Sequence, residues 1–109
     1  MDDREPVCLK SIGAKGIGLE VHFSWREDRH CHTVNLLVGD RRIPVLESIE
    51  GSSHDRWPPS PPLQQLSVEE LRPKTNVALL VGMAGKSHWS ISVEPASGRA
   101  AIAFDVACK

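Results

Sequence analysis

The chain has 109 residues, of which 40% are hydrophobic and 25% are charged, a composition typical of a folded protein. This length predicts one β domain spanning 1–109, with enough buried surface for a core of its own. The net charge is −1, from 13 basic and 14 acidic residues, and this balance excludes the basic excess on which nucleic-acid binders depend.

The first half of the chain alternates apolar and polar residues, a pattern that predicts strands with one face on a core. The runs are 7–12, 19–25, 30–38 and 43–49, and the charged residues 26–29 indicate a hairpin loop. Register follows from keeping apolar residues opposite one another, because a slip of one residue would turn the apolar stripe away from its partner. The pairs expected on this basis are Leu19 with Leu36, Val21 with Val34, Phe23 with His32 and Trp25 with His30.

The second half continues the strand pattern. Residues 76–84 are apolar on both faces, which predicts a central strand that is covered on both sides. Turns at 85–86 and 95–98 then delimit alternating runs at 88–93 and 100–106. In the last pair of strands we expect Ile102, Phe104 and Val106 to lie opposite Val93, Ile91 and Trp89. Residues 63–71 suit either an extended segment or a short helical turn.

These runs predict an all-β fold, either an antiparallel β-sandwich or a small barrel of about six to eight strands. No long amphipathic helix is visible, which argues against the α/β classes. The segment 52–62 breaks the pattern with four prolines in its last five residues. Proline cannot donate to a sheet ladder, so this Pro-rich segment is expected to be an ordered loop crossing between the sheets.

The cysteines Cys8, Cys31 and Cys108 are odd in number and widely spaced, which fits neither a disulfide framework nor paired zinc ligands. The amino terminus shows no signal peptide, and no apolar run reaches the roughly 20 residues of a membrane span. We therefore expect a cytoplasmic protein with reduced thiols and no membrane partner.

The sharpest metal signal is the pair His30 and His32, which share one face of a predicted strand. Histidines at this spacing occur in zinc sites, with a third ligand here from His22, His54, His88 or an acidic residue. The competing interpretation is structural, because both histidines lie at the end of an apolar stripe beside Phe23 and Trp25. The structural interpretation is preferred, and no cofactor is expected.

A second candidate site is a shallow cleft for a ligand around the Pro-rich segment. Its residues are His54, Asp55, Arg56 and Trp57, joined by His88 from a predicted strand. Here too a structural loop is the competing interpretation, with Trp57 folded back over the end of the domain. Cys31 lies between two histidines, but neighbouring residues of a strand point to opposite faces, and the sequence gives no positive evidence for an enzyme.

Three segments, 57–64, 87–94 and 103–108, resemble small bacterial proteins of an uncharacterised family. They carry the motifs WPPSPPLQ, SHWSISVE and AFDVAC, and together with the residues between them they concern about half of the chain. The resemblance implies a small bacterial β-rich protein. It implies no activity and transfers no catalytic residue.

Two function classes follow from these observations. The first is a non-catalytic binding or protein-interaction domain that uses the Pro-rich loop and an exposed sheet face or edge. Its partners would be another protein, a second copy of the chain or a small ligand. The alternative is a small metal-binding protein or enzyme with a zinc site around His30 and His32.

Overall fold

The computed structural model describes residues 5–52, 54, 60–73 and 75–109. Within them the chain forms eight β-strands and one short 3-10 turn, Ala14–Gly16. The strands are β1 (Val7–Ile12), β2 (Ile17–Arg26), β3 (Arg29–Val38), β4 (Arg41–Glu47), β5 (Leu63–Arg72), β6 (Thr75–Ala84), β7 (Ser87–Pro95) and β8 (Ile102–Cys108).

The strands form two antiparallel four-stranded sheets, each of which follows the chain order. The first sheet has the order β1-β2-β3-β4 and the second has the order β5-β6-β7-β8. Over the described residues the sheets do not close into a barrel, and their packing is compatible with a small β-sandwich. The all-β prediction is therefore confirmed. Within the Pro-rich segment, residues 53 and 55–59 lie outside the described residues.

The hairpin of β2 and β3 has the register expected from the sequence. Leu19 lies opposite Leu36, Val21 opposite Val34, Phe23 opposite His32 and Trp25 opposite His30. The segment of ambiguous type, 63–71, is strand β5, which pairs with β6 along its length. The segment is extended as an edge strand and not helical, because Leu63 and Leu66 reach the core only in the extended conformation.

The core lies between the two sheets and takes alternate residues from their strands. The buried side chains that contact one another are Leu9, Val21, Phe23, Val34, Leu63, Ala78, Leu80 and Val93. Trp89, Ile91 and Ile102 pack against this cluster from the second sheet. Because side chains alternate along each strand, the inner faces of both sheets pack into one shared core.

The pairing of β7 with β8 differs from the expected register by two residues. Phe104 lies opposite Val93, Val106 opposite Ile91 and Cys108 opposite Trp89. The reason is a turn longer than 95–98: the backbone N–H of Ala96 donates to the carbonyl of Ala101, and β8 begins only at Ile102. The inner-face residues keep their face, because a shift of two residues preserves the alternation.

The Ser11 hydroxyl of β1 holds this longer turn in place. It lies within hydrogen-bonding distance of the carbonyl oxygens of Ala96 and Arg99, and it accepts a bond from the N–H of Ala101 at 3.0 Å. Ser11 is buried, so these bonds satisfy backbone groups of the turn. A serine 90 residues before Ala101 therefore holds the end of the turn from which β8 starts.

Two further expectations concern the thiols and the membrane. Cys8 and Cys108 are both exposed, and all three cysteines are free. No helix among the described residues is long and apolar enough to cross a membrane.

The first sheet carries a buried carboxylate on the face that points away from the core. Glu20 is 1% exposed and accepts hydrogen bonds from Asn35 at 3.1 Å and from Arg42 at 2.8 and 3.2 Å. Lys10 adds its charge at 3.9 Å. Burial favours a raised pKa, but these hydrogen bonds and charges outweigh it, so the pKa of Glu20 lies below its ordinary value.

The lowered pKa of Glu20 makes stability depend on acid. Because the unfolded state binds the proton more readily, the contribution is full above the ordinary pKa of about 4.3 and is lost as the pH falls through the lower folded value. Glu20→Gln should lower the free energy of unfolding at neutral pH by about 1–3 kcal/mol and flatten the acid decline. Urea unfolding between about pH 3 and about pH 7 measures both the loss at neutral pH and the acid decline. The exposed Glu47→Gln variant is the control. An unchanged acid decline in Glu20→Gln would contradict this assignment.

Candidate binding surface

The outer face of the second sheet is apolar along β6 and is uncovered by any described residue. Leu79, Val81 and Met83 are 40%, 43% and 46% exposed, whereas Leu80 between them is 1% exposed. The sequence predicted cover on both faces of this strand, and the structure supplies it only on the inner one. We call the stripe of Leu79, Val81 and Met83 the apolar ridge.

Small side chains flank the apolar ridge on the β7 and β8 side. Ser90 and Ser92 follow on β7 and Ala107 on β8, since residues opposite one another in the ladder share a face. A hollow of about 310 Å³ lies over this part of the face, lined by Leu79, Val81, Ser90, Ser92 and Ala107 among others. The large residues of β6 and the small ones beside them therefore form a ridge next to a trough.

A larger open cleft of about 710 Å³ adjoins this hollow at the end of the sheet. The two share Val81, Ser90 and Ala107, and the cleft extends to Met83, His88 and Trp89. The buried Nε1 of Trp89 has no hydrogen-bond partner among the described residues. The cleft combines apolar walls with the polar side chains of His88 and Ser90, a mixture typical of binding sites.

Gly82 brings β5 close to β6 beside this cleft. A Cβ atom at Gly82 would overlap the carbonyl oxygen of Pro62 and lie 2.9 Å from the Cα atom of Leu63. Only glycine allows the chain leaving the Pro-rich segment to approach β6 this closely. The close packing of Pro62 against Gly82 therefore fixes where β5 begins, beside the cleft.

The structure describes two of the five residues expected at the ligand cleft. His88 is exposed on β7 and lines the 710 Å³ cleft. His54 lies in an exposed turn, where its backbone N–H donates to the Ser52 hydroxyl at 3.2 Å, and it is not among the lining residues. Asp55, Arg56 and Trp57 lie outside the described residues, so their place in the cleft stays a prediction.

His30 and His32 lie on the inner face of β3, each against an aromatic ring. The rings of His30 and Trp25 meet edge to face at 4.8 Å, and His32 lies 5.4 Å from Phe104 and 6.1 Å from Phe23. Burial lowers the pKa of His32 despite the opposing charge of Glu50. Among the described residues, no group of three or more His, Cys, Asp or Glu is placed to hold a metal ion. The zinc site at His30 and His32 therefore stays a prediction.

The thiols of Cys8 and Cys31 have raised pKa values, which favour the neutral form. Burial raises the pKa of Cys31 and that of Cys8, and the carboxylates of Glu50 and Glu20 respectively add to the rise. Nearby arginines and lysines oppose this effect without reversing it. A nucleophilic cysteine needs the thiolate, so neither thiol has the environment of an activated nucleophile.

Comparisons with protein-family models, with curated proteins and with solved structures gave no match to this chain. The resemblance of three segments to small bacterial proteins therefore stays a hypothesis. What the molecule binds has to be inferred from its own surface.

Proposed function

We propose that the chain is a non-catalytic protein-interaction domain whose binding surface is the outer face of the second sheet. The observation that carries the proposal is the exposure of the apolar ridge on an interior strand, where the neighbouring strands leave no room for the side chains to turn away. Contiguous exposed apolar surface of this kind marks interaction sites in folded proteins.

The surroundings of the apolar ridge support a protein partner. The trough beside it offers a complementary shape to a side chain, while the serine hydroxyls of Ser90 and Ser92 offer hydrogen bonds at its floor. Charged and titratable side chains such as His88, Asp105 and Lys109 lie around it, in keeping with a polar rim. An apolar centre with a polar rim is the usual anatomy of a protein interface.

The chemistry of the described residues supports a binding role over a catalytic one. The half-buried His32 packs between aromatic rings, and the raised pKa values of the Cys8 and Cys31 thiols favour their neutral form. The free cysteines also support a cytoplasmic location, where thiols stay reduced, and we propose that location for the domain.

Val81→Glu tests the proposal, because it places a charge at the centre of the apolar ridge. The wild-type chain and the variant are immobilised, and captured proteins are quantified by mass spectrometry. Val45→Glu is the matched control, since Val45 is similarly exposed on β4 of the other sheet. The captured amount of any protein that binds the apolar ridge should fall at least about tenfold with Val81→Glu, since an unpaired charge is costly in an apolar contact. Equal capture by all three proteins would contradict the proposal.

The large cleft favours a small ligand as a second candidate function. Its volume of about 710 Å³ is in the range of small-molecule sites, and its lining combines apolar residues such as Val81 and Met83 with the polar side chains of His88 and Ser90. Native mass spectrometry of the purified protein separates the two candidates. A small ligand should appear as a mass adduct that Val81→Glu reduces, whereas a protein interface should leave the isolated chain without one.

A further inference from the structure

The four edge strands differ in how well they are protected against pairing with another strand. Edges are normally blocked by proline, charges, irregular register or cover from other elements. β4 has Pro44, two arginines and a register shift opposite Val34 and Asn35. β5 has two register shifts and three charged residues near its end, and β1 carries Lys10 and is bonded through Ser11 to the turn that precedes β8.

β8 contacts β2 of the other sheet, as β1 contacts β6 and β7, but it lacks the proline, the register shifts and the charge clusters of β4 and β5. Its register with β7 is unbroken from Ile102 to Cys108, it contains no proline, and Asp105 is its only charged residue. Its inner-face residues Phe104 and Val106 are 39% and 53% exposed. β8 is therefore an unbroken and largely apolar edge.

The hydrogen bonds at the end of β8 show which of its backbone groups are free to pair. Lys109 and His88 exchange both of their N–H···O bonds, each at 2.8 Å. In an antiparallel ladder this pattern alternates, so Ala107 and Asp105 also direct their N–H and C=O groups toward β7. Val106 and Cys108 direct theirs away from the sheet, where no described residue bonds to them.

We infer that β8 is a self-association edge, on which β8 of a second copy of this chain adds in antiparallel fashion and joins two second sheets into one. A two-fold axis at Ala107 sets Val106 opposite Cys108 of the second copy, and these are the residues whose backbone groups point outward. The same axis sets Asp105 opposite Lys109 of the second copy, twice by symmetry. An axis at Asp105 would instead oppose the two aspartates.

This inference goes beyond the proposed function and is independent of it. The apolar ridge lies on a sheet face, whereas β8 pairs through its edge, so the joined sheet leaves the ridge open to another protein. The contact is small, with five residues of each strand paired, and we expect a weak dimer that depends on concentration. Pairing buries Val106 against the Cys108 thiol of the second copy. It also provides hydrogen-bond partners for the outward N–H and C=O groups of Val106.

The main test is sedimentation velocity of the full chain over a series of concentrations. The wild-type chain should form a dimer, and Val106→Pro should raise its dissociation constant at least about tenfold, because the variant lacks the outward N–H of residue 106 in both copies. The fold should survive, since that N–H makes no bond to β7. Val106→Lys is a second variant with the same expected loss, and Val45→Lys on the protected edge β4 is its matched control.

Disulfide trapping tests the register. In a Cys8→Ser, Cys108→Ser background, the cysteine of Ala107→Cys should form a disulfide with the same residue of the second copy. Residues on the axis have Cα atoms about 4.5 Å apart, which is inside the range of roughly 4.4–6.8 Å for disulfides. Ala103→Cys on the same face of β8 should stay monomeric. A wild-type chain that is monomeric throughout, or a dimer that survives both Val106 variants or dissociates with Val81→Glu alone, would overturn the inference. Cross-linking of Ala103→Cys in place of Ala107→Cys would do the same.

Discussion

Gly82→Ala is expected to destabilise the fold strongly, because the added methyl group has no space between β6 and β5. The new Cβ atom would overlap the Pro62 carbonyl oxygen and lie 2.9 Å from the Leu63 Cα atom, both of them backbone atoms that cannot rotate away. Relief requires β5 to move off β6, with Leu63 leaving the core. We expect a loss of about 3 kcal/mol or more in the free energy of unfolding, measured by urea denaturation.

Gly98→Ala is the control for the Gly82 variant. Gly98 lies in the turn before β8 with a positive φ of 79°, and a Cβ atom there meets nothing within 4 Å. Its cost is therefore only that of holding alanine in a left-handed conformation, about 1 kcal/mol. If Gly82→Ala proves no more damaging than Gly98→Ala, the close approach of β5 to β6 is wrong.

Leu80→Ala and Leu79→Ala should differ sharply although the two residues are neighbours on one strand. Leu80 is buried between the sheets, and its truncation should lower the free energy of unfolding by about 3 kcal/mol through lost burial and the cavity left behind. Leu79 is on the apolar ridge, and its truncation should cost less than about 1 kcal/mol. The comparison is made by urea unfolding at neutral pH.

The size of that difference decides between two arrangements of β6. A large cost at position 80 and a small one at position 79 fits a strand with one covered face. Similar large costs at both positions would mean that the outer face is also buried, which would remove the basis for the proposed binding surface. The cost at Leu80 alone does not distinguish these arrangements, so the matched variant is essential.

Local patterning was sufficient to predict the first hairpin. The alternation of Leu19, Val21 and Phe23 and its counterpart in β3 leave only one register that puts apolar residues on a common face. The same register places Glu20 opposite Asn35, from which their hydrogen bond could have been expected. Pairing within a hairpin depends on nearby residues, so the information is present in the local sequence.

Long-range contacts account for what the sequence did not reveal. The start of β8 depends on Ser11, which comes from the other sheet, and the register of β7 with β8 was therefore predicted two residues away from its true position. The uncovered ridge was missed for a related reason. Apolar residues on both faces of 76–84 indicate that both faces avoid water, but they do not say whether the cover comes from the same chain.

Of the residues expected at a ligand cleft, His88 lines the cleft of about 710 Å³, and its role in binding stays a prediction. The walls contributed by Val81 and Met83 of β6 and by Ala107 of β8 were not expected there, because the sequence predicted that both faces of β6 are covered. The clue available was the strict alternation of small and large residues in the second sheet. Serines facing one way on β7, beside a fully apolar β6, indicate a face built for contact rather than for solvent.

The most direct test of this account is methyl NMR of the full chain with a soluble paramagnetic agent. The agent broadens methyl signals that solvent reaches. We expect strong broadening for the methyl groups of Leu79, Val81 and Met83 and almost none for those of Leu80, because the ridge is open and the inner face of β6 is sealed. Equal protection of Leu79 and Leu80 would show that the outer face is covered and would contradict the account.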